Sequence, residues 1–293
     1  MGSGKGDESV LDLGDLKHKK TICLTLDIEQ DHADLLAEPR YEGLGHIPKL
    51  VDFFRERDTP ITCFVQGALL ESHPKEIGQL FSLNVEFGLH SYSHPIPQKR
   101  NFELEIDRGK KAYRQFFSKD PIGYRAPLGV IQESEYEVLA SNGFRFDSSV
   151  FPSLRPGVFN NLGKPTKPYL VGGHKIVEFP FGVLSDRIRV PMSLSYIKLL
   201  GKPFLYLMKT FHLPNLIVFG FHMHDLFRLH SSNEIAIDKY PFIYRTVFRK
   251  VYLGNKDGLS VLDEVIQLFR KKDYEFLRLA DVYEAICRNG ALA

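Results

Sequence analysis

The sequence predicts an α/β protein built on a parallel sheet or barrel. Three observations carry this. Short β-prone runs alternate with stretches of helical periodicity from residue 21 onward. Polar and charged side chains gather where the apolar runs end: Asp27, Glu29 and Asp31, then His90 and His94, then Arg125, then Asp147, then His222 and His224. A chain of 293 residues that is 43% hydrophobic has ample material for the core of one large domain.

Residues 1–20 are Gly-rich and charged and are expected to be a flexible N-terminal segment, with a single domain over 21–293. The run 21–27 is the first strand and ends in acid. Residues 46–57 follow with Ile47, Leu50, Val51 and Phe54 at helical spacing, and 61–65 is the second strand. A helix is expected over 74–83, a strand over 85–89 and a long amphipathic helix over 102–117. Then come a short strand at 121–124, a helix over 134–142 stopped by Gly143, and a strand at 144–146. The Gly- and Pro-rich middle, 153–191, offers one clear strand at 174–180. Beyond it lie a helix over 194–211, a strongly apolar strand at 215–222 and an irregular excursion over 227–255. A helix at 259–271, a strand at 274–277 and a helix at 280–288 close the chain.

The formal net charge of +2 and scattered Lys and Arg residues give no reason to expect nucleic acid. Cys23, Cys63 and Cys287 form no CxxC pair, and two of them sit in apolar runs, so they read as free thiols of a reducing compartment. The N-terminus lacks the apolar stretch of a secretion signal, and no run reaches the roughly 18 apolar residues of a membrane span. The nearest, 194–213, is interrupted by Lys198, Lys202 and Lys209. A cytoplasmic protein is the expectation.

In parallel α/β architectures the carboxyl ends of the strands converge on one face, where sites form. His90 and His94 are four apart, and one helical turn would set both imidazoles on one cation, although Pro95 disfavours helix there. Taken alone, such a pair is more often two solvated histidines. A carboxylate is the usual third ligand for Zn²⁺ or a similar ion, and Asp27, Glu29 and Asp31 face one way if the chain stays extended. Arg125, in the turn Gly123-Tyr-Arg-Ala-Pro127, could hold a catalytic carboxylate and keep it ionised. His222 and His224 end the most apolar strand, where an imidazole needs a polar partner.

The order of these motifs resembles the polysaccharide deacetylase (NodB-homology, carbohydrate esterase family 4) superfamily from about residue 21 to 286. His90-Ser-Tyr-Ser-His94 matches its H-S/T-x-x-H motif, Arg125-Ala-Pro127 its R-x-P motif, and 216–225 its leucine-rich strand ending in histidine. Asp147-Ser-Ser149 stands in for a fourth motif. The first, Thr25-Leu-Asp-Ile-Glu-Gln-Asp31, departs from the usual adjacent Asp-Asp and is similar to branches whose metal acid follows the base by two positions.

The resemblance implies an irregular (β/α) barrel of about seven parallel strands. It also implies one divalent metal ion, zinc with cobalt or manganese as alternatives, held by His90, His94 and Glu29, with Asp31 competing for the third place. Asp27 would be the general base acting on metal-bound water, steadied by Arg125. His222 or His224 would be the acid that protonates the departing amine, and Tyr124 and Pro127 would contact substrate. The implied activity is removal of N-acetyl groups from an amino sugar of a polysaccharide or its nucleotide- or lipid-linked precursor. Two other readings remain: hydrolysis of a non-sugar amide or ureide, and a catalytically silent carbohydrate-binding domain. The excursions 153–191 and 227–255, rich in Phe, Tyr and Arg, are the expected substrate walls.

Overall fold

The computed structural model describes residues 8–32, 35–171, 173, 175–254 and 257–289. Its strands are β1 (Ser9–Val10), β2 (Thr21–Ile28), β3 (Ile61–Val65), β4 (Val85–Leu89), β5 (Gly123–Tyr124) and β6 (Phe146–Asp147). After them come β7 (Leu154–Arg155), β8 (Phe159–Asn160), β9 (Tyr169–Val171), β10 (Ile176–Glu178), β11 (Leu216–His222) and β12 (Glu275–Phe276). One sheet runs β1-β9-β10-β6-β5-β4-β3-β2-β11, with β12 also on β2, and β7 and β8 form a separate hairpin. From β10 through β11 every pairing is parallel, which supplies the seven expected strands; β9 and β1 are added antiparallel.

The expected barrel is not closed by strand pairing. The chain beyond β10 spans the gap instead: the Gly182 N–H donates to the Val218 carbonyl at 2.8 Å, and Ser193 and Gly220 form an isolated parallel bridge. Gly220 permits this approach, since a Cβ there would stand 2.4 Å from the Phe181 ring.

The two-residue strand period sorts β2 cleanly. Ile22, Leu24, Leu26 and Ile28 face outward into the large core beneath the helices. Cys23 faces the other way, among Phe64, Phe146, Val177 and Val218, where Leu279, Val282 and Ile286 of the final helix close the base of the sheet. Thr25 and Asp27 share the parity of Cys23 and stand above that layer. β11 repeats the division: Ile217, Phe219 and Phe221 pack outward, while His222 shares the parity of Val218 and lies opposite Asp27 in the register.

Several elements differ from expectation. Residues 8–18, taken as flexible, contain β1, paired to β9, and a 3-10 turn at Gly14–His18, with Leu13 buried in the basal core. The helix expected at 194–211 is two, Leu194–Leu200 and Lys202–Thr210, because Gly201 takes a left-handed φ of 71° and Pro203 opens the second. A helix Gly67–Ser72 precedes the one at Pro74–Gly78. The excursion at 227–255 contains the helix Phe242–Tyr252. The strand expected at 174–180 is β10, and residue 174 lies outside the described residues.

Candidate active site

Asp27 closes the inner face of β2, and one of its carboxylate oxygens accepts from Arg125 Nη1 at 2.7 Å. Arg125 follows β5 and is almost wholly buried, with 1% of its surface exposed. Its Nε donates to the Ser148 carbonyl at 2.7 Å, Nη2 to the Ser148 hydroxyl at 2.9 Å and Nη1 also to Thr25 at 3.0 Å. The guanidinium lies over the rings of Phe64 and Phe181, 4.3 Å from each centroid. A planar cation with its donors engaged and both faces covered is fixed in place.

The second Asp27 oxygen stands 3.5 Å from His222 Nε2. His222 Nδ1 bonds Asp225 at 3.0 Å, and the same Asp225 oxygen accepts the His222 backbone N–H. Burial works against a charged ring here. The hydrogen bond and charge of Asp225, joined by Glu29 and Asp27, outweigh it and hold the His222 pKa up to about 9. Asp225 is fully buried and, despite that, kept well below the ordinary carboxylate range by the same pairing; Ser195 donates to its other oxygen.

Glu29 continues the parity of Asp27 and meets both histidines: one oxygen is 3.0 Å from His90 Nε2 and 2.6 Å from His94 Nε2. The histidines do not sit on a helical turn. The loop bends sharply, with Ser91 and His94 both at positive φ, near 60°. Glu105, in the first turn of the helix Phe102–Phe117, clamps that bend. Its carboxylate accepts from the Ser91 and Ser93 hydroxyls and from the backbone N–H of Tyr92 and Ser93, at 2.7–2.9 Å.

These residues fit a divalent cation. His90 Nδ1 is 2.8 Å from the Arg125 carbonyl, which can only accept, so that nitrogen carries the proton. His90 Nε2 then points at a Glu29 oxygen 3.0 Å away, so both can turn a lone pair toward one shared cation. Two imidazole nitrogens and a carboxylate are the donor set that Zn²⁺ and its neighbours favour. Among the described residues, Glu29 also lies within 4.8 Å of donor atoms of His222 and His224.

Of the other expected residues, His224 lines the same cavity and the rest fall elsewhere. Asp31 joins neither cluster of ligating atoms. β2 ends at Ile28, so the strand parity lapses, and the Asp31 carboxylate turns to accept from Glu42 and Gly43 N–H and the Ser231 hydroxyl. His224 is buried, stacked on His222 with centroids 4.7 Å apart, and its Nδ1 accepts the His32 N–H. Burial, together with the neighbouring His222 and His32, keeps it well below the ordinary histidine pKa and hence neutral. Tyr124 packs its ring between Phe102 and Phe144 and does not line the cavity, nor does Pro127; their neighbours Ala126 and Leu128 do. Asp147 is also away from the cavity. It is buried beside Glu178, where burial pushes both carboxyls up, and it accepts from Ser149.

Asp27, Glu29, His90, His94, Arg125, His222 and His224 converge on a cavity of about 190 Å³. Arg155 from the middle excursion and Tyr244 and Tyr252 from the later one are on its wall, where the sequence expected substrate contacts. Sequence reasoning missed four supports: Glu105, Asp225, Ser148 and His32. Asp225, an acid three residues after a strand-end histidine, and Ser148, inside the fourth motif, left a usable trace; Glu105 and His32 are recognisable by tertiary position alone.

A family model described as polysaccharide deacetylase matches residues 15–146. The peptidoglycan deacetylase of Helicobacter pylori is 24% identical over 229 residues, covering 76% of this chain and 74% of that protein. A solved structure from Mycobacterium smegmatis, assigned to the polysaccharide deacetylases, superposes with a TM-score of 0.64 at 16% identity, covering 96% of this chain and 94% of that one. A family 4 carbohydrate esterase pseudoenzyme of Bacillus anthracis superposes at 0.53 with 12% identity, covering 91% and 66%. At such identities the structural likeness speaks for the fold.

Proposed function

Since this chain belongs to the polysaccharide deacetylase (NodB-homology) superfamily, we propose that it is a metal-dependent hydrolase that removes N-acetyl groups from an amino sugar. The substrate class is a polysaccharide, such as a peptidoglycan strand, or its nucleotide- or lipid-linked precursor. The observation that carries the reading is the continuous set of contacts Arg125–Asp27–His222–Asp225 beside the Glu29, His90 and His94 cluster.

His90, His94 and Glu29 would hold the ion, and His90 is oriented for this by the Arg125 carbonyl. A divalent ion there supplies Lewis acidity toward the amide carbonyl and water. Asp27, held in place by Arg125, takes a proton from the attacking water. His222, kept protonated by Asp225, delivers a proton to the departing nitrogen. His224 stays neutral behind it, which favours His222 as the acid. A cytoplasmic location belongs to the same proposal and rests on the three free cysteines.

The test is acetate release from N-acetylglucosamine oligomers, measured with bound metal before and after loading with Zn²⁺, Co²⁺ or Mn²⁺. Zinc binding with acetate release is expected. Protein that binds metal and releases no acetate from any N-acetylated sugar overturns the reading.

A further inference from the structure

Beside the site cavity lies a second lobe of about 300 Å³. The two share Asp27, His222, Phe151, Phe181, Arg155 and Tyr252 as a common wall. Past that wall the lining turns apolar: Leu199, Phe221, Val247 and Val251, with Phe159 and Tyr196. The two serines there already serve the protein. Ser193 Oγ accepts the Tyr196 N–H and Ser195 Oγ donates to Asp225. Sugar hydroxyls placed in this lobe would lose water and gain little in return. An apolar group would gain from its burial.

Position says where that group is attached. The lobe begins at Asp27 and His222, the two residues that would move protons at the scissile amide, so its occupant is bonded close to the reacting carbon. An acetyl methyl would leave most of it empty, given that one water commands about 30 Å³ of liquid.

On the premise of the deacetylase reading above, we propose that this lobe receives the acyl chain and that the site also accepts amino sugars N-acylated with chains longer than acetyl. Hydrolysis breaks the amide C–N bond and joins the water oxygen to the acyl carbon. One water proton passes to Asp27, a proton from His222 reaches the nitrogen, and an amine and a short fatty carboxylate leave.

The experiment compares zinc-loaded protein on glucosamine oligomers that carry N-acetyl, N-butanoyl or N-hexanoyl groups. At about 0.8 kcal/mol per buried methylene, kcat/KM should rise about tenfold from acetyl to butanoyl. Filling the lobe with Val251→Trp or, separately, Leu199→Trp should bring the hexanoyl-to-acetyl ratio down toward one. Calorimetry gives a readout without turnover: hexanoate should bind more tightly than acetate, and the two Trp variants should lose that difference. Release of acetate but not of longer chains overturns the acyl lobe and leaves the deacetylase reading standing. No release from any N-acyl sugar overturns both. A gain that follows an octyl aglycone rather than acyl length assigns the lobe to the aglycone and overturns the proposal.

Discussion

Arg125 is the residue on which the site's geometry turns. It reaches Asp27, Thr25 and both the carbonyl and hydroxyl of Ser148 from one rigid fork. Lysine keeps the charge but not the fork or the ring stacking. Arg125→Lys should therefore lower kcat by about 100-fold with a folded protein, measured by acetate release alongside circular dichroism. Glu105 acts one step further out, since four donors of the 91–93 bend converge on it. Glutamine offers one oxygen where two are engaged, so Glu105→Gln should weaken zinc binding by about 10- to 100-fold in a competition titration. The sequence named Asp27, Glu29, His90, His94, Arg125 and His222, because chemistry confines such side chains to few roles. It did not single out Glu105, because an acid near the start of an amphipathic helix reads as solvated until the loop it clamps is folded over it.

At the scale of elements, the strands of the sheet meet the final helix through Glu86 of β4. Its carboxylate accepts from Thr62 of β3 and from Ala280 N–H, at the start of the helix Leu279–Arg288. Burial pushes this carboxyl up from 4.5 to about 7, against those two hydrogen bonds. A group whose pKa is raised by folding contributes its full stability below its unfolded value and loses it as pH rises through the folded value. Unfolding free energy should thus fall between about pH 4.5 and 7, by on the order of 3 kcal/mol from this group. Urea denaturation of Glu86→Gln across that range should show a flatter profile than the parent. The loop after β4 carries a related lesson. An i, i+4 spacing suggested one helical turn, yet His90 and His94 meet across a bend with two left-handed residues. The pair was legible from spacing and its backbone was not, because Pro95 excludes helix without saying what replaces it.

Across the whole molecule, function and stability occupy opposite ends of the sheet. The carboxyl ends carry the site, and the base is closed by Leu13, Leu279, Val282 and Ile286. Ile286 is fully buried there. Ile286→Ala should cost about 2–5 kcal/mol in chemical denaturation. kcat/KM should be unchanged at temperatures where the protein remains folded. Leu13 belongs to this base, which is why residues expected to be flexible are tied to β9 instead. Gly and charge in that segment argued for a loose tail, and two paired residues with one buried leucine are too little pattern to argue otherwise.

The sequence by itself determined the alternation of strands and helices, the parallel sheet and the identity of the chemical residues at its strand ends. Those follow from local periodicity and from the scarcity of side chains able to bind metal or move protons. Tertiary structure alone decided that Glu29 rather than Asp31 meets the histidines, that His222 faces Asp27 while His224, on the same cavity, is held neutral, and that the barrel seam is bridged rather than paired. Each depends on where the chain leaves a strand and what packs over it, and contacts between residues as far apart as Asp27 and His222 are not encoded in any short stretch.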